Sequence, residues 1–98
     1  MSNICENELR VYSEHKENIQ YTKSFIEKHF KSVVKRINNE NLEILFDSNW
    51  DFPIDEMYDL YTGIPYKDDI QIHCLSVEWG NLYCEFHSCD KEGWTNSY

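Results

Sequence analysis

Between residues 74 and 89 the chain reads CLSVEWGNLYCEFHSC, and this stretch restricts the fold more than any other. With a two-residue turn at Gly80 and Asn81, positions whose numbers sum to 161 stand opposite each other in an antiparallel hairpin. One face then carries Trp79 with Leu82, Val77 with Cys84 and Leu75 with Phe86, all apolar. The other carries Glu78 with Tyr83, Ser76 with Glu85 and Cys74 with His87. A hairpin with one buried side requires this division, and a slip of one residue destroys it. The expectation is a hairpin that packs Leu75, Val77 and Phe86 into the core and leaves Cys74, His87 and Cys89 outside.

Upstream, the apolar spacing changes period several times. In NELRVYS, Leu9 and Val11 alternate with Arg10 and Tyr12, as in a half-buried strand. From Lys16 the step becomes three and four through Ile19, Thr22, Ile26 and Phe30, which predicts a helix with that stripe inward. Glu14 and Glu17 near its start and Lys28 and Lys31 near its end suit the helix dipole. Val33, Val34 and Ile37 fit either an extension of this helix to Asn38 or a short strand. The strand is preferred, because SVVKRI, the turn NNEN and LEILFD make a hairpin in which Ile37 faces Leu42, Arg36 faces Glu43 and Val33 faces Phe46. In SNWDFPIDEMYDLYTGIP, Pro53 fits a first helical position, Ile54, Met57, Tyr58 and Tyr61 share one face, and Gly63 with Pro65 supplies the stop.

Ninety-eight residues suffice for one domain with one modest core. The opening MSNICENELR has neither a basic nor an apolar run, and no stretch approaches the ~20 apolar residues that span a bilayer. A soluble, cytoplasmic protein is therefore expected, with four free thiols. The net charge of −9 is uneven: residues 1–37 carry five acids and seven bases, residues 38–70 nine acids and one lysine, and residues 71–98 four acids and one lysine. So acidic a middle argues against a phosphate-binding protein and suits a basic partner.

Three groups of side chains invite a chemical reading. Cys74, His87 and Cys89 share one hairpin face at cross-strand distances compatible with two zinc ligands, yet CxxC and HxxxH spacings are absent, and surface thiols are the preferred reading. A Cys74–His87 nucleophile and base lacks an orienting third group and oxyanion donors. Asp51, Asp55 and Asp59 recur every fourth residue, with Glu56 nearby, and line one side of the second helix as carboxylates about 6 Å apart. They are either an ordinary solvated face or a decoy that offers a basic protein the spacing of nucleic-acid phosphates.

Three segments also resemble one family. NICENELRVYS is similar to the opening Asn-Trp-Cys-Glu-Asn strand of the Api92-like or YubB-like ferredoxin-like domain, with Ile4 at the Trp position. LEILFDSNWDFPIDEMYDLY and SVEWGNLYCEF resemble its strand, its Trp-x-x-Pro helix start and its closing hairpin. The resemblance implies an α+β, ferredoxin-like two-layer sandwich: a mainly antiparallel sheet, two helices on one face and a C-terminal hairpin. It implies carriage by phages, plasmids and other mobile elements, and it transfers no catalytic residue and no cofactor. The expected function is a small, non-enzymatic acidic binding protein, for example an inhibitor of a host defence or nucleic-acid-processing protein, that binds a basic host or mobile-element partner through Asp51, Asp55, Glu56 and Asp59 or through Tyr12 and Tyr83 on an open sheet face. The alternative is a single-stranded nucleic-acid-binding module that uses sheet aromatics.

Overall fold

The computed structural model describes residues 4–49, 51–80 and 83–97. Two-residue alternation builds β1 (Ile4–Tyr12), which hides Cys5, Asn7, Leu9 and Val11 and turns Ile4, Glu6, Arg10 and Tyr12 outward. The change of period at Lys16 builds α1 (Lys16–His29), with Asn18, Ile19, Thr22 and Ile26 buried. β2 (Ser32–Ile37) and β3 (Asn41–Asn49) then form a hairpin, so the Val33–Ile37 stretch is strand and not the end of the helix. α2 (Ile54–Gly63), β4 (Gln71–Glu78), β5 (Tyr83–Asp90) and β6 (Gly93–Ser97) complete the order.

The strands make one sheet in the order β2-β3-β1-β4-β5-β6, with every neighbouring pair antiparallel. Buried side chains of both helices join those of the strands in a single cluster that includes Leu9, Ile19, Ile44, Met57, Leu60 and Ile72. Each such side chain contributes ~1.5–3 kcal/mol by leaving water, so most of the apolar stabilisation sits in this one layer. Among the described residues no helix is long and apolar enough to cross a membrane.

The ferredoxin-like sandwich is corrected by this sheet. The chain is α+β, but its six strands differ in number and order from a two-helix ferredoxin-like sandwich. Part of the cause is a hairpin that the sequence reading missed. In Asp90-Lys91-Glu92-Gly93 the Glu92 amide donates to Asp90 Oδ1 at 2.8 Å, and Gly93 takes φ of +103°, a conformation that glycine adopts without a Cβ penalty. The chain doubles back there and β6 extends the sheet.

The β4–β5 register is as expected, with Cys74 opposite His87 and Glu78 opposite Tyr83, but the faces are reversed. Cys74, Ser76, Glu78, His87 and Cys89 are buried, whereas Leu75 and Phe86 are 39% and 37% exposed and Cys84 is exposed. Asn81 and Leu82, and with them the second turn position and the Trp79–Leu82 pair, lie outside the described residues. Pairing with β1 decides the matter: Leu9 stands beside Cys74 and Val11 beside Ile72, so the even-numbered positions of β4 continue the helix-covered side. Ile70 and Ile72, both buried, are in phase with Cys74.

Two smaller corrections concern the other expected faces. α2 turns Met57 and Leu60 inward, while Ile54 and Tyr58 are 65% and 62% exposed. Its inner stripe is Met57, Leu60 and, past the helix end, Ile64, about one residue's rotation from the stripe expected. In the β2–β3 hairpin, Ile37 faces Leu42 and Arg36 faces Glu43 as expected, but an irregularity between Val34 and Arg36 puts Val33 opposite Leu45 and Ser32 opposite Phe46.

Polar clips complete the core. Asn18 is fully buried; its Nδ2 donates to the carbonyls of Tyr66 and Asp69 at 3.0 and 2.9 Å, and its Oδ1 accepts the Tyr66 amide at 3.0 Å. This one side chain ties the α2–β4 connection to the start of α1. Asn18→Ala strands those buried groups and is expected to lower stability by about 3 kcal/mol, since each unpaired buried group costs ~1–3 kcal/mol. Urea unfolding measures it; an unchanged midpoint would mean that the connection holds without the clip.

Candidate functional site

The strongest concentration of carboxylates gathers where β3 ends and α2 begins. Phe52, buried, anchors the connection, and Ser48 Oγ donates to the Asp51 carbonyl at 2.7 Å. Asp51 therefore sits ahead of the helix, while Asp55 and Glu56 occupy its first turn, where the helix dipole favours acids. A cleft of about 480 Å³ opens there, with Asp47, Asp51, Asp55 and Glu56 along one part of its wall and His29, Phe30 and Lys31 from the end of α1 on the other. His29 Nδ1 lies 2.9 Å from the Phe25 carbonyl, a contact in which the ring nitrogen donates.

The expected binding residues thus fall in several places. Asp51, Asp55 and Glu56 meet at the cleft, joined by Asp47, which the sequence reading passed over. Asp59 is exposed one turn further along α2 and does not border the cleft. Tyr12 is 42% exposed on the open sheet face, at the far end of β1 from Ile4, the residue that pairs with Asn49. Tyr83 is turned to the helix-covered side, where its hydroxyl donates to Glu85 Oε1 and burial pushes its pKa up. Trp94 is also on that side, its indole donating to the Met57 carbonyl at 2.7 Å. A shared surface of Tyr12 and Tyr83 does not form.

Cys74, His87 and Cys89 are corrected from outer-face ligand candidates to core residues. Burial pushes the Cys74 and Cys89 thiols up to about 12, which keeps them protonated in this interior. His87 stacks on Phe52 with ring centres 3.7 Å apart, its Nε2 is 3.6 Å from Glu85 Oε1, and its buried Nδ1 has no hydrogen-bond partner among the described residues. Among the described residues no group of three or more His, Cys, Asp or Glu side chains is placed to hold a metal ion.

Two polar clusters escaped the sequence reading. Asn7 Nδ2 donates to Ser48 Oγ at 2.9 Å, and Ser76 Oγ donates to Asn7 Oδ1 at 2.6 Å, across the three central strands. At the start of α1, His15 Nδ1 lies 2.6 Å from Asp69 Oδ2, and the His15 ring stacks on Tyr66. Ser13 is present too, but its hydroxyl donates to the same Asp69 oxygen and accepts the His15 amide, so it is not held by the imidazole as a nucleophile is. Hydrogen bonds from His15, Ser13 and the Glu14 amide hold the Asp69 carboxyl below the usual carboxylate range. The cluster fastens the helix start to the α2–β4 connection. Its parts lie more than fifty residues apart in the chain, which is why spacing alone does not reveal it.

Searches of family models, of curated proteins and of solved structures find no match for this chain.

Burial lowers the His87 pKa below its ordinary 6.5, more than the opposing pull of Glu85 raises it. The unfolded chain therefore takes up this proton at a higher pH than the folded one. The neutral ring's contribution is complete above about 6.5 and is lost as the pH falls below it. Urea unfolding from about pH 7.5 to about pH 5 is expected to show a stability loss that His87→Phe reduces; equal slopes would contradict this.

Proposed function

We propose that this chain is a small, non-enzymatic acidic binding protein that holds a basic partner protein at the β3–α2 cleft. The observation that carries the reading is the convergence of Asp47, Asp51, Asp55 and Glu56 on one opening, within the part of the chain that has nine acids and one lysine. Carboxylates so grouped attract a cationic surface and speed its approach. The partner class is a protein that normally handles nucleic-acid phosphates, for which the acidic rim acts as a decoy. The resemblance of NICENELRVYS and of SVEWGNLYCEF to the Api92-like or YubB-like family supports a phage or mobile-element setting. In that setting such a decoy would inhibit a host defence or nucleic-acid-processing protein in the cytoplasm.

Direct binding of single strands through sheet aromatics has less support. Trp79 and Phe86 are exposed on the open face, but Glu6 and Glu8 stand among them, where phosphates are repelled. Arg10 and Arg36, the arginines on that face, are engaged by Glu8 and Glu43.

Capture from host lysate on immobilised wild type, beside a variant with Asp51→Asn, Asp55→Asn and Glu56→Gln, tests the proposal. The wild type should retain basic proteins that are released by salt and that the variant fails to hold. An unchanged captured set would remove the acidic cleft as the contact, and salt-sensitive binding of an oligonucleotide would favour the nucleic-acid reading.

A further inference from the structure

Both helices pack on the same side of the sheet, and the opposite side keeps an exposed apolar row with Glu8 in its midst. The strand register brings Leu45, Leu75 and Phe86 into one row with Glu8, and each of these three apolar residues is between 37% and 39% exposed. Trp79, 68% exposed, stands at one margin, with its indole donating to Glu6 Oε2 at 2.9 Å. Two shallow depressions adjoin at Leu75. One, of about 260 Å³, is bordered by Leu45, Leu75, Val77 and Trp79. The other, of about 440 Å³, lies beside Phe86.

The charged residues bordering the first depression are all acidic, whereas Arg10 borders the second. Glu6, Glu8 and Asp47 border the first depression, and no lysine or arginine does. Nearby Arg10 is shared between Glu8 and Glu43, both at 3.3 Å, and Arg36 reaches Glu43 at 3.4 Å. What would cover this face must offer aliphatic side chains to Leu45, Leu75 and Phe86 and cations to Glu8 between them and to Glu6 and Asp47 beside them. A second copy of the chain brings the same carboxylates and a net charge of −9, so repulsion opposes it. We propose that the open face is the docking site for an amphipathic, cationic helix of another protein. Its apolar stripe fills the Leu45–Leu75–Val77 depression and its lysines or arginines meet Glu6, Glu8 and Asp47.

The dimensions are compatible. Six strands about 4.8 Å apart make a face about 24 Å wide, which a helix of about 16 residues crosses. Except for Asp47, which borders both surfaces, the residues differ from those of the acidic cleft, so this inference holds whether or not the cleft binds anything.

The test uses a synthetic peptide of about 16 residues, leucine and lysine at helical spacing, beside an isomer of the same composition in scrambled order. The amphipathic peptide is expected to bind with a blue shift of tryptophan emission that Trp79→Phe reduces. Leu75→Asp is expected to weaken binding about tenfold or more, and Glu8→Gln severalfold with a shallower salt dependence. If circular dichroism shows that Leu75→Asp does not fold, Glu8→Gln carries the test, since it keeps the size of the side chain between Leu45 and Leu75 and removes only its charge. Equal affinity for the two isomers, or unchanged affinity and salt dependence in Glu8→Gln, would overturn the proposal. So would a stable dimer that the peptide does not displace, which would assign the face to a second copy.

Discussion

Pairing along β1 decides which side of every other strand meets the helices. β1 is bonded to β3 along its whole length and to β4 along most of it, so the phase in which it buries Cys5, Asn7, Leu9 and Val11 passes to both neighbours. From β4 it passes to β5 and β6, and from β3 to β2. Since side chains in a sheet have a strict period of two, one phase error at β1 would invert the entire sheet. The apolar layer under the helices, the buried thiols and the open face are all consequences of that phase. The Asn7–Ser48–Ser76 hydrogen bonds reinforce it, because a slip of one residue would leave three buried polar groups unpaired at ~1–3 kcal/mol each.

Local periodicity was legible, and long-range phase was not. Leu9 with Val11, the Ile19–Ile26 stripe, the strand at Val33–Ile37 and the Cys74–His87 register all follow from spacing within one element or one hairpin. The choice between the two faces of the β4–β5 hairpin depends instead on a strand more than sixty residues away, and the greasier face lost. Leu75 and Phe86 are more apolar than Cys74 and His87, so transfer free energy alone favours burying them. What outweighs it is the continuity of Ile70, Ile72 and Cys74 with Leu9 and Val11 beneath the helices. Ile70 and Ile72 were visible in the sequence as the start of that alternation. The missed β6 had its signal too, in an aspartate three residues before a glycine that takes positive φ.

The acidic site was legible in kind rather than in shape. Charge counted along the chain points to the β3–α2 region, but the regular row of Asp51, Asp55 and Asp59 presumed a helix that begins earlier than Ile54. Because Asp51 belongs to the connection, the carboxylates converge with Asp47 on a cleft instead of running along one helix side. The same geometry accounts for a division of labour across the sheet. The helix side supplies stability through apolar packing and buried amide clips, and the acidic end and the open face are the surfaces that the proposed recognition would use.

The phase of the sheet can be read directly from thiol chemistry, because the two possible phases bury opposite cysteines. Brief alkylation of the native, reduced chain, mapped by mass spectrometry, should label Cys84 and spare Cys5, Cys74 and Cys89, with all four reacting after denaturation. Rapid labelling of Cys74 or Cys89 with Cys84 protected would mean that the hairpin faces the other way, and the account of the covered and open sides would fail.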